Sequence, residues 1–112
     1  MRQSTALELR TRVAPSGGGM EPPLLVVITR RRTPESDAAV RACDQAAQLF
    51  GVDAITLDVD AADNAPLFSE LGVDLVPEVL LMQRGVVVDR APGVRDAEDA
   101  YAWIASALRK PA

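Results

Sequence analysis

The sequence predicts an α/β domain: a four-stranded mixed sheet in the order β-α-β-α-β-β-α, with helices on both faces. Three observations carry that prediction. Residues 24–29, LLVVIT, are a continuous apolar run rich in β-branched side chains, as in a strand buried on both faces. Residues 78–82 and 86–88 are two further apolar runs across Gln83-Arg84-Gly85, which reads as an antiparallel hairpin. Between and after these runs lie segments whose apolar residues recur at helical spacing. Strands alternating with helices give the layered architecture.

Each element has a local cause. After LLVVIT come three arginines and then Thr33, a good N-cap. Pro34 suits the first helical position, and Glu35 and Asp37 complement the positive end of the helix dipole. The helix is expected over residues 34–50, with Ala39, Val40, Cys43, Ala46 or Ala47, and Phe50 inward, and Gly51 ending it. Residues 53–59, DAITLDV, are a second strand. Residues 60–64 turn, and residues 65–71 form a short helix capped by Asp63 or Asn64. Its inward residues are Leu67, Phe68 and Leu71, and Gly72 stops it. Val76-Pro77 stands at the head of the hairpin, where the missing N–H costs the sheet least. Ala91-Pro92-Gly93 is expected to break the last strand. Asp96 caps a final helix over about residues 97–109, with Ala100, Tyr101, Ile104, Ala107 and Leu108 apolar; Arg109 and Lys110 favour its C-terminal end.

A chain of 112 residues suits one domain, and 48% hydrophobic with 25% charged residues is a globular balance. No apolar run approaches the roughly 18 residues that span a bilayer, and no apolar signal core follows the early charges. One cysteine excludes an internal disulfide, and with no histidine a zinc or haem site is not expected. The expectation is a cytoplasmic protein with no cofactor and no metal. Net charge is −4, unevenly spread: residues 1–32 carry six arginines against Glu8 and Glu21, and the acids lie mostly beyond. That acidic bulk argues against nucleic-acid binding.

Residues 5–13 alternate, with Leu7, Leu9, Thr11 and Val13 on one side and Glu8, Arg10 and Arg12 on the other. A glycine tether follows at residues 17–19. Residues 1–19 are therefore expected to be a flexible extension or a weakly paired edge strand, and residues 20–110 the domain, with Met20 a candidate start.

The strand LLVVIT with the long helix after it, the strand ending in Leu57-Asp58-Val59-Asp60, the short helix ending in Glu70-Leu71-Gly72-Val73, and Val76-Pro77, QRG, VVVDR and Gly93 resemble the thioredoxin family. The resemblance covers about residues 21–109, and the family's first strand and helix are shortened or absent. It implies a thioredoxin-like fold, a cis peptide before Pro77, and a Val76 backbone that presents itself to an extended peptide. The family's Cys-x-x-Cys would lie between LLVVIT and the long helix. Arg32, Thr33, Pro34 and Glu35 stand there, give or take one residue. The family's buried acid and neighbouring tryptophan are missing too.

Disulfide exchange needs an accessible low-pKa thiolate and a resolving thiol, and this region supplies neither. Such catalysis is not expected. Cys43 lies about two turns into the helix, in phase with Val40, Ala47 and Phe50, which reads as a buried thiol; the alternative is a one-thiol oxidoreductase or redox sensor. Thr33 and Ser36 are hydroxyls near the position of the family's thiols, with no base to activate them, and read as caps. Asp58, Asp60 and Asp63 lack the glycine and distal glutamate of a calcium loop and read as strand-end and cap residues. The remaining candidate is a groove made by Arg30, Arg31, Arg32, Thr33 and Pro34 together with Val76 and Pro77, able to hold an extended or acidic segment. The expected function is a redox-inactive, chaperone-like or assembly module binding a protein or peptide, with no nucleic-acid or membrane partner. A structural subunit of a larger complex is the other alternative.

Overall fold

Alternation along the first apolar run decides the layers. Leu24, Val26 and Ile28 point to one face of the sheet, Leu25 and Val27 to the other, and all five are buried. The computed structural model describes residues 1–3, 23–30, 33–61, 64–73, 76–83, 86–92, 94 and 96–110. Its elements are β1 (Arg2–Gln3), β2 (Leu24–Thr29), α1 (Pro34–Phe50), β3 (Asp53–Asp58), α2 (Ala65–Leu71), β4 (Glu78–Gln83), β5 (Val86–Pro92) and α3 (Ala97–Ala107). The sheet order is β1-β3-β2-β4-β5. β2 runs parallel to β3 and antiparallel to β4, so the sheet is mixed, as expected.

One face carries α1 and α3 over Leu25, Val27, Val79, Leu81 and Ala91. The other carries α2, whose Leu67 and Phe68 pack on Val26, Ile28, Ile55, Leu57, Leu80 and Met82. The buried side of α1 is a stripe of small residues, Ala39, Ala42, Cys43, Ala46 and Ala47, and Ser36 joins it at the first turn. Val40 and Phe50, expected inward, are only half-buried, while Ala42 is buried. The helix touches both the sheet and α3, so its buried face is wider than a single stripe. Gly51 and Gly72 follow α1 and α2 in the left-handed conformation, at φ 65° and 67°, which ends each helix as predicted.

Two expectations need correction. The last strand does not break at Ala91 but continues through Pro92, which pairs opposite Glu78. β5 is an edge strand, and there a proline need not cost the sheet a ladder bond. Gln83 belongs to β4 and pairs with Val86, leaving a two-residue connection rather than three. The register passes from Leu81 opposite Asp89 to Met82 opposite Val87, so Val88 is the extra residue of a bulge. Bulge and proline together blunt this edge against strand addition. Arg2–Gln3 pair in parallel with Ile55 and Thr56 as a fifth strand at the sheet edge, which agrees with the paired-strand alternative expected near the N-terminus rather than the flexible one. Pairing there satisfies main-chain groups on the outer edge of β3, and Met1 packs against the α1 side of the core. The alternating stretch at residues 5–13 lies outside the described residues.

α3 is anchored differently from expectation. Asp96 does cap it, accepting from the Asp99 N–H at 2.8 Å. The helix ends at Ala107, and Tyr101 is 49% exposed, its ring against Phe50 at 4.8 Å. Trp103 instead leans on the core, and its Nε1–H donates to Asp89 Oδ2 at 3.1 Å. Lys110 reaches the same oxygen at 3.0 Å, serving β5 rather than the end of its own helix.

The hydrogen bond from Lys110 holds the Asp89 carboxyl below its ordinary value against some desolvation, helped by the Arg90 N–H, the Lys110 charge and Trp103. Because the folded-state value is the lower one, the stabilisation is present above the ordinary aspartate value of about 3.9 and is lost as pH falls through the folded value. Asp89→Asn is expected to lower the melting temperature at neutral pH by an amount equivalent to about 1 kcal/mol or less, since the pair is near the surface. The gap to the wild type should close in acid. Thermal melts of both proteins across that range check the sign.

Candidate functional site

The register of the central strands builds the candidate site. Ile28 lies opposite Glu78, so the chain leaving β2 and the chain entering β4 meet at one end of the sheet. β3 ends there as well, with Thr29 opposite Asp58 and the Val59 N–H donating to the Thr29 carbonyl at 2.8 Å. Of the predicted groove, Arg30, Thr33, Pro34, Val76 and Pro77 are therefore delivered to this end by the topology. Arg31 and Arg32 lie outside the described residues. The Val76-Pro77 peptide is cis, as the resemblance implied.

The loop from Arg30 to α1 is closed by hydroxyls. Thr33 sits at the N-cap in extended conformation, yet makes no side-chain capping bond. Its Oγ1–H donates to the Arg30 carbonyl at 2.8 Å, and the Arg30 N–H donates to Ser36 Oγ at 2.9 Å. Both backbone polar groups of Arg30 are thus satisfied by side chains, and Ser36, 2% exposed, is buried to do it. This corrects the expected capping roles: the two hydroxyls close the loop instead of the helix end. Thr33 and Ser36 also stand three residues apart at the α1 N-terminus, the spacing of a Cys-x-x-Cys. The Arg30 side chain is exposed, with its Nε 3.8 Å from Asp60 Oδ2.

Asp58 ends β3, as expected of a strand-end residue, and it also builds the turn that follows. Asp58 is buried, and its Oδ1 accepts from the Asp60 N–H at 2.9 Å. Asn64 precedes α2 without a side-chain capping bond, and its Nδ2–H donates to the Asp58 carbonyl at 3.0 Å. Asp63 lies outside the described residues. Among the described residues no group of three or more His, Cys, Asp or Glu side chains could hold a metal ion, and no helix is long and apolar enough to cross a membrane.

Cys43 is far from this chemistry. It is 0% exposed in the core between α1 and the sheet, and burial pushes its thiol up to about 12.

One pair at the site end escaped the sequence reading. Glu78, directly after Pro77, is 6% exposed and accepts from Arg90 Nε–H at 2.8 Å. The signal was present: Glu78 shares the phase of buried Leu80 and Met82, and a carboxylate on that face requires a cation.

No protein-family model and no curated protein matches the sequence. Solved structures do match. Chloroplastic thioredoxin z superposes with a TM-score of 0.74 at 15% identity, over 96% of this chain and 94% of that one. Thioredoxin f2, in its complex with ferredoxin:thioredoxin reductase, gives 0.72 at 19% identity over 96% and 92%. The architecture reached from strand order, register and layer composition is the thioredoxin fold.

Proposed function

We propose that this chain is a redox-inactive binding module, a chaperone-like or assembly partner that holds an extended protein segment at Val76-Pro77 beside the Arg30 loop. The observation that carries this reading is the chemistry left at the site end of the sheet. Two hydroxyls, both engaged with the Arg30 backbone, occupy the α1 N-terminus, and the sole thiol lies in the core. No nucleophile of the kind disulfide exchange needs is available there. An extended segment lying beside Val76 has main-chain hydrogen bonding as its source of affinity, a mode that needs no sulfur. The exposed Arg30 guanidinium, with Arg31 and Arg32 next to it in sequence, suits a segment carrying carboxylates. Thioredoxin f2 is solved with a protein partner, which accords with a protein ligand.

The one-thiol alternative is disfavoured by the burial and raised pKa of Cys43. Reversing charge at Arg30, Arg31 and Arg32 together is expected to weaken partner capture from the native host by about tenfold, because a complementary contact becomes a repulsive one. Quantitative pull-down against the wild type measures it. Unchanged capture would remove the arginine loop from the groove.

A further inference from the structure

The segment that carries Val76 leaves α2 at Gly72 and enters β4 at Glu78. One side chain touches both ends. Arg90, on β5 opposite Leu80, donates from Nε to Glu78 Oε1 at 2.8 Å and from Nη2 to the Gly72 carbonyl at 3.4 Å. Its Nη1 lies 3.8 Å from where a Cβ on Gly72 would stand, so the guanidinium lies directly against that turn. The geometry suits arginine: a planar fork serves two acceptors at once, whereas an ammonium is a single point on a flexible stem. Gly72 also lies just past the C-terminus of α2, where a cation meets the negative end of the helix dipole.

The two contacts differ in setting. Glu78 is nearly enclosed, with 8% of its side chain exposed, while 39% of the Arg90 side chain remains exposed. The carboxylate therefore depends on Arg90 to be buried at all, and Arg90 is held on a sheet strand that cannot follow a moving loop. A brace of this kind fixes the distance between Gly72 and Glu78. That distance sets where Val76 and Pro77 stand before β4.

We propose that Arg90 is a positioning residue for peptide binding: by bridging Gly72 and Glu78 it holds the Val76 segment in the shape that receives an extended chain. This rests on the reading that the Val76 segment binds extended peptides. Affinity for such a peptide then depends on Arg90 although Arg90 need not touch it.

The test uses the full chain and a short fluorescein-labelled peptide alternating valine and glutamate, followed by polarisation well below every melting temperature. Arg90→Met is expected to weaken binding about tenfold, and Arg90→Lys to recover part of the loss. Amide exchange should quicken at Val73, Val76 and Glu78 while α1 keeps its protection. Asp89→Asn, which removes an ion pair of β5 on the opposite face, should leave affinity unchanged. If Arg90→Met lowers the melting temperature yet binds the peptide like the wild type, Arg90 is only structural and the proposal fails. Should Arg90→Met not fold, Arg90→Lys and Glu78→Gln carry the same comparison. If the wild-type chain does not bind the peptide, the reading of the Val76 segment fails instead, and unchanged exchange in the Arg90 variants would overturn the brace as well.

Discussion

Native Cys43 is expected to resist alkylation at neutral pH until the protein unfolds. The reacting species is the thiolate, and burial pushes this thiol up to about 12, against about 8.5 for a free cysteine. The thiolate fraction near neutrality is then lower by about three orders of magnitude before any steric effect is counted. Sterics act in the same direction, since the side chain is enclosed between the alanines of α1 and Leu25 and Val27 of β2. Iodoacetamide followed by mass measurement should show a slow native reaction and a fast one in denaturant. Rapid native modification would revive the one-thiol reading and count against a binding module. Cys43→Ala with full activity in the cell would dispose of that reading from the other side.

What the sequence disclosed, and what it withheld, follows the range of the interactions concerned. The limits of α1 were legible because both ends are local chemistry: Thr33-Pro34 starts it and the left-handed Gly51 stops it. The short helix before the hairpin was legible for the same reason, with Gly72 as its terminator. The hydrophobic run LLVVIT announced a central strand but not its strand partners, which only the register supplies. Glu78 and Arg90 are twelve residues apart and meet because a bulge at Val88 sets their offset across the hairpin. Trp103 and Lys110 converge on Asp89 from α3 and the residues after it, a junction with no local signature. Thr33 is instructive in the opposite sense. Its residue type predicted a cap, and it does stand at the cap position, but the hydroxyl turns back to Arg30 because the loop offers a carbonyl within reach. The two-residue strand Arg2–Gln3 is too short for any periodicity to announce it.

Cysteines introduced at Thr33 and Ser36, in a Cys43→Ala background, are expected to create a reactive dithiol on this scaffold. Position 33 is the N-cap of a helix of 17 residues, where unpaired N–H groups and the dipole favour an anion. Thiols at such positions fall to about 3.5–7.5. Two influences compete. Glu35 and Asp37 in the first turn raise a neighbouring thiol, while Arg30 and the helix terminus lower it. The acids are exposed and screened by water and salt, whereas the N–H groups are fixed by the backbone, so the lowering influence should prevail. Alkylation of the Thr33→Cys thiol should exceed that of native Cys43 by at least about a thousandfold, and the pH dependence of its rate should place its pKa below that of free cysteine. With both substitutions, oxidation should close a bridge that dithiothreitol opens, and reduction of insulin should become measurable. An ordinary pKa at position 33 would mean that the first-turn acids outweigh the helix terminus. Two sulfur atoms would then not be enough to make this end of the sheet redox-active, and the charges around the α1 N-terminus would suit binding better than thiol chemistry.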